Sequence, residues 1–153
     1  MSRLLTTRIW AKRSWRLKYA ASVAADIAKP QHECLTMVTY VLLYAMIDVR
    51  EYNDRESRSP HAAWFNRLNA QAAAKVTVAL TRLAEGNFSN VKGVGSGVFE
   101  CRIDFGPGYR VYFGKDGERL VILLGGGTKK RQQHDINTAL ANWQDYKRRK
   151  AGG

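Results

Sequence analysis

The stretch Val98–Arg131, VFECRIDFGPGYRVYFGKDGERLVILLGGGTKKR, decides the fold. In its first part Phe99, Cys101, Ile103 and Phe105 alternate with Glu100, Arg102 and Asp104. That is the period of a strand, whose successive side chains point to opposite faces. Gly106-Pro107-Gly108 turns the chain. In Tyr109–Phe113, Tyr109, Val111 and Phe113 face the core, while Arg110 and Tyr112 face outward. Asp116-Gly117 supplies a second hairpin turn. Leu120–Leu124 is apolar throughout, as in a central strand. Gly125-Gly126-Gly127 then breaks the strand into a glycine-rich bend that runs into Lys129, Lys130 and Arg131.

Upstream, Ser59-Pro60 starts a helix, because serine caps the orphan N–H groups and proline suits the first turn. Asn69 caps a second helix, AQAAAKVTVALTRLAEG, with Gly86 as its stop. Val76, Leu80, Leu83 and Ala84 share one face of it, and Gln71, Lys75 and Arg82 another. A first strand is placed at Met46–Tyr52, with Val38–Tyr44 as the alternative. Asn87–Gly97 reads as a loop, and Gly93-Val94-Gly95-Ser96-Gly97 within it as a flexible connection. A last helix, about Gln132–Arg149, carries Ile136, Leu140 and Trp143 on one stripe. The order β-α-α-β-β-β-α predicts an α+β domain. A helical hairpin and a C-terminal helix surround a small curved antiparallel sheet, and one sheet face stays free to bind.

The chain has 153 residues, which suits one folded domain spanning 37–150. Residues 1–36 read as a basic leader, unstructured or weakly helical, or as residues added by an upstream start. The other reading of them is a basic arm. Lys and Arg number 25 against 13 Asp and Glu, a net charge of +12. Such an excess attracts polyanions. Cys34 and Cys101 are the only cysteines, with no Cys/His cluster, so neither a disulfide framework nor a zinc site is expected. The longest apolar run, Met37–Ile47, has 11 residues and is too short to span a bilayer as a helix. A cytoplasmic protein without membrane contact is expected.

Cross-strand pairing brings Arg102 and Arg110 to one side, with Glu100 and Tyr112 close by. A guanidinium offers a planar fork matched to phosphate oxygens. Two of them suit a scissile phosphate and its transition-state charge. The competing reading is a cross-strand ladder of Arg with Glu or Asp on a solvated face. The glycine bend with Lys129, Lys130 and Arg131 is a second anion site, through exposed backbone N–H groups and the following helix start. His134 is the group able to shuttle a proton near neutral pH. Asp135 is expected to be solvated and to favour the helix dipole. His61 and His32 are expected at the surface. No trio of acids is visible, so a two-metal nuclease is not expected. RNA needs no such trio, because its 2′-hydroxyl is a built-in nucleophile.

From about Met46 to Lys150 the chain resembles a RelE/ParE-superfamily toxin of the HigB-type, or addiction module killer, branch. The resemblance rests on FxxRIDFGPGYRVYF (Phe99–Phe113), LLGGGTKKRQQxDI (Leu123–Ile136) and Ser59-Pro60 followed by Trp64-Phe65. It implies a RelE-like fold and an endoribonuclease that cuts mRNA on translating ribosomes without metal or cofactor, leaving a cyclic phosphate. It also implies a neutralising antitoxin, of a helix-turn-helix kind. Carried over by motif, Arg110 would contact the scissile phosphate, with Arg102 and Lys129 or Lys130 as further basic groups. Some relatives have a tyrosine near the start of the last helix, where this chain has Gln133, His134, Asp135 and Ile136. His134 and Tyr112 are the substitutes for the acid–base role. Lys92, Lys129 and Arg131 would guide RNA. Two rival readings are a non-enzymatic, ParE-like inhibitor of DNA gyrase and an inactive remnant that only binds a partner or nucleic acid.

Overall fold

The computed structural model describes residues 46–152. The division of the chain at residue 36, and the alternative strand Val38–Tyr44, lie outside them. Five strands, β1 (Asp48–Glu51), β2 (Val91–Gly95), β3 (Val98–Ile103), β4 (Tyr109–Lys115) and β5 (Leu120–Thr128), form one sheet in the order β1-β5-β4-β3-β2. The helices are α1 (Pro60–Phe65), α2 (Ala70–Ala84) and α3 (Gln132–Ala151), and a 3-10 turn spans Lys129–Arg131. The α+β class and the helix order agree with the sequence. The sheet is antiparallel except at β1, which runs parallel to β5 with Val49 opposite Val121.

The helix starts follow the local signals. The Ser59 hydroxyl accepts from the Ala62 N–H at 3.0 Å, and the Asn69 carboxamide accepts from the Ala72 N–H at 2.8 Å. Beyond α2, Gly86 has φ of +81°, a turn conformation that glycine takes without strain. Val76, Leu80, Leu83 and Ala84 of α2 are buried against the sheet face that carries Cys101, Val111, Phe113, Val121 and Leu123. Trp64 of α1 joins them. His61, expected at the surface, is instead buried, with Nδ1 paired to Glu51 at 3.1 Å. The imidazole stacks against Phe65, so its apolar ring faces gain contact while one nitrogen keeps a partner.

Two expectations fail here for related reasons. Val91–Gly95 is a strand, not a loop: Lys92 lies opposite Glu100 and Val91 opposite Cys101. The ladder offered by β3 outweighs the low strand propensity of Gly93 and Gly95. Nor do Gly125-Gly126-Gly127 break β5. They continue it opposite Tyr112, Val111 and Arg110. Their missing side chains make room instead, since a Cβ at Gly126 would overlap the Trp64 indole and one at Gly127 the Asp135 carboxylate. The bulge on β5 lies between the pairs Tyr112–Gly125 and Phe113–Leu123. The carbonyl of Leu124 there accepts from the Asn142 amide of α3 at 3.0 Å.

The second sheet face is not free. α3 lies across it and closes a cluster of Tyr52, Val98, Tyr112, Ile122, Leu124, Ala139 and Trp143. Gly114 permits this approach, because any Cβ there would meet the Trp143 ring. Tyr52 donates to Asp145 at 2.8 Å and Tyr146 donates to Asp116 at 2.7 Å, which holds the helix at both flanks. Among the described residues, no helix is long and apolar enough to cross a membrane.

Candidate functional site

Register places the candidate residues in two rows across the α3-covered face. Arg102 of β3, Arg110 of β4 and Gly127 of β5 form one row. Lys92, Glu100, Tyr112 and Gly125 form the next, across β2, β3, β4 and β5. Arg102 and Arg110 therefore share a side, as alternation predicts. Their surroundings differ. Arg102 is open to solvent, with its side chain 55% exposed and Asp104 at 3.8 Å. Arg110 and Tyr112, expected to face outward on a bare surface, are buried. The start of α3 covers β4 and β5 and leaves the Lys92 and Arg102 side of the face open.

Arg110 has two direct partners, the Gly108 carbonyl and Glu100. Its Nη1 donates to the Gly108 carbonyl at 3.3 Å. The Lys129 N–H donates to the same carbonyl at 2.9 Å, so one turn residue ties Arg110 to the basic 3-10 turn. Its Nε lies 3.5 Å from Glu100 Oε2, close enough for an ion pair but without hydrogen-bond geometry. Glu100 Oε2 also accepts from Gln132 Nε2 of α3 at 2.8 Å. Lys129, Lys130 and Arg131 are all exposed beside this cluster. The glycine bend expected to present free N–H groups is a strand, so the anion-attracting feature at this corner is the cationic turn itself.

The acid–base candidates divide. The Tyr112 hydroxyl is buried without a hydrogen-bond partner among the described residues. Burial pushes its phenol far above the ordinary range, the Glu100 and Asp135 carboxylates push it further, and Arg110 opposes them. It holds its proton at any working pH. His134 is exposed on the first turn of α3. Asp135 follows it about 100° around the helix and points to the sheet at Gly127. Far from solvated, Asp135 Oδ2 is buried without a hydrogen-bond partner among the described residues. Burial raises its carboxyl above the ordinary value, and Arg131 and His134 partly offset this. Glu100, expected close by, is a partner of Arg110, while Gln132 and Asp135 are the polar groups that sequence reasoning left out of the site. A signal did exist for Asp135, since a glycine in a strand marks a close approach from above. Among the described residues no group of three acids, histidines or cysteines could hold a metal ion.

A family model described as "Phage derived protein Gp49-like (DUF891)" matches residues 63–144, from α1 to the middle of α3. An uncharacterized protein of Haemophilus influenzae is 47% identical over 78 residues, which are 50% of this chain and 79% of that relative. The matched segment contains both arginines, the cationic turn and the first part of the helix that covers them, and by this match the chain belongs to the phage-derived Gp49-like family, a RelE/HigB-like toxin family.

Proposed function

We propose that the protein is the toxin of a type II toxin–antitoxin module and a metal-independent endoribonuclease that cuts mRNA on the ribosome. The observation that carries this reading is the pairing of Arg102 with Arg110 on one side of the sheet, beside the Lys129–Arg131 turn that Gly108 ties to Arg110. Lys92 and Arg102 continue the cationic track over the open part of the same face. A backbone of phosphates is the ligand such a track fits.

In this reading Arg102, Arg110 and Lys130 hold the scissile phosphate and the charge that develops on it. The 2′-oxygen of the substrate attacks the adjacent phosphorus, and the bond from phosphorus to the 5′-oxygen breaks. The products are a 2′,3′-cyclic phosphate and a 5′-hydroxyl end. His134 takes the proton of the 2′-hydroxyl. Tyr112, whose phenol stays protonated, serves the leaving 5′-oxygen as a donor once the first turn of α3 lifts from it. The net charge of +12 fits an acidic antitoxin that covers the basic face.

Inducing the protein alone should arrest translation and growth, and mapped RNA 5′ ends should appear within ribosome-bound messages. Arg110→Ala should lower the cleavage rate by about 100-fold or more. Arrest of DNA supercoiling ahead of translation would replace this reading with a gyrase inhibitor. Growth without either arrest would leave a partner-binding remnant.

A further inference from the structure

We infer that Glu100 is a positioning residue for Arg110, an inference that rests on the ribonuclease reading for its kinetic part and on geometry for the rest. Glu100 is 3% exposed and Arg110 is 7% exposed, so both charges are out of bulk water. A buried guanidinium without a counter-charge swings to solvent or destabilises the fold. Glu100 keeps it in place. With Nε facing Glu100 and Nη1 given to the Gly108 carbonyl, two of the three guanidinium nitrogens are committed. Nη2 is left for a ligand, and Arg102 stands directly across the ladder.

The same carboxylate oxygen accepts from Gln132 at 2.8 Å, the first residue of α3. Glu100 therefore sets two things at once, the direction of the Arg110 fork and the seat of the α3 start over it. It is not placed to act on substrate. The oxygen nearest Arg110 is already engaged by Gln132, and the side chain is buried. Glu100 also holds the local charge near Arg110 close to zero. The resting protein then presents Lys92, Arg102 and the Lys129–Arg131 turn as its open cations, and Arg110 engages only a phosphate that reaches the α3 edge.

The test is Glu100→Gln, which keeps the shape and an acceptor oxygen while removing the charge. It is measured alone and in an Arg110→Ala background, with single-stranded RNA binding and ribosome-bound mRNA cleavage as readouts. Alone, Glu100→Gln should tighten binding of a 2′-O-methyl RNA, with the slope of log affinity against log salt steeper by about 0.7, as for one more phosphate contact. The same variant should cut about 10-fold more slowly, because the fork is no longer aimed. In the Arg110→Ala background both changes should vanish, the mark of a residue that acts through another. An equal loss of rate in both backgrounds would overturn the inference, since Glu100 would then act on substrate directly. A fall in melting temperature with unchanged salt slope would also overturn it, leaving a structural role only. Should Glu100→Gln fail to fold, Gln132→Leu removes the other partner of that oxygen and should slow cleavage in the same direction, again only when Arg110 is present. An unchanged rate in Gln132→Leu would overturn the inference. If the parent binds RNA but never cuts it, the ribonuclease reading falls, while the binding and salt comparison still decides the role of Glu100.

Discussion

The two faces of the β-sheet are both covered by helix, yet they are built from different materials. Beneath α1 and α2 lie Cys101, Val111, Phe113, Val121 and Leu123, met by Val76, Leu80, Leu83 and Trp64. Nearly every side chain there is apolar; the exception, His61, pairs Nδ1 with Glu51 and leaves Nε2 buried without a hydrogen-bond partner among the described residues. Beneath α3 lie Val98, Ile122 and Leu124, but also Glu100, Arg110, Tyr112 and part of Asp135. On that side Tyr112 Oη and Asp135 Oδ2 are buried without hydrogen-bond partners among the described residues, and Arg110 Nε faces Glu100 as an ion pair without a hydrogen bond. Buried polar atoms left unpaired cost stability. A fold that keeps such atoms at one corner, beside exposed cations, retains them for something other than stability. The face under α1 and α2 holds the fold, and the face under α3 carries the chemistry.

Neighbouring residues of β4 put this contrast to its strongest test. Phe113 points to the first face and Tyr112 to the second, and both are fully buried. Phe113 stacks on Phe99 at 5.6 Å and fills the apolar core. Phe113→Ala should cost about 3–5 kcal/mol of unfolding free energy, read from the urea midpoint. A loss below about 1 kcal/mol would mean that this face tolerates a cavity, contrary to its close packing.

Tyr112→Phe should move the other way by a smaller amount. It removes a hydroxyl that has no partner and leaves the ring in its cluster with Val98, Ile122, Leu124 and Trp143. A gain of about 1 kcal/mol in stability is expected, together with slower RNA cleavage if the phenol is the proton donor. Loss of stability in Tyr112→Phe would show that the hydroxyl is satisfied after all, and would erase much of the difference between the faces.

That difference was only half legible in the sequence. Alternation along Phe99–Phe105 and Tyr109–Phe113 names the correct faces, and the Ser59 and Asn69 caps mark both helix starts, because these are local rules. The stripe Ile136, Leu140 and Trp143 shows that α3 must pack somewhere, but not where, since its destination depends on contacts remote in sequence. An open face with Arg110 and Tyr112 outward was therefore expected, and α3 covers it instead. Gly114 and Gly127 held the clue. Each sits on that face where a helix side chain, Trp143 or Asp135, takes the space of the missing Cβ. Read as backbone breakers, such glycines suggest turns and phosphate cradles. Read as vacated side-chain volume, they locate the helix. β2 was missed for a similar reason, as a strand with glycines at its third and fifth positions is defined by its partner and not by its own residues.

The smallest expected effect concerns pH and tests the second face alone. Burial raises the Asp135 carboxyl above its ordinary value of 3.8, while Arg131 and His134 pull it back only in part. Between the unfolded value and the raised folded one, the folded chain holds more protons than the unfolded chain. Stability then falls as pH rises through that window and stays lower above it. This is the reverse of a carboxylate that gains a partner on folding. Asp116 is of that ordinary kind, held below its usual value by Lys150 and then by Tyr146, and its contribution is lost as pH falls. Asp135→Asn abolishes the first slope and leaves the second. Melting temperatures of parent and variant should therefore diverge as pH rises through and above the ordinary carboxylate value, with Asp135→Asn the more stable at the upper end. Parallel curves would mean that Asp135 ionises as freely in the folded chain as in the unfolded one. The corner beside Arg110 would then be wetter than its buried, unpaired oxygen implies, and the polar face would differ from the apolar one in composition but not in strain.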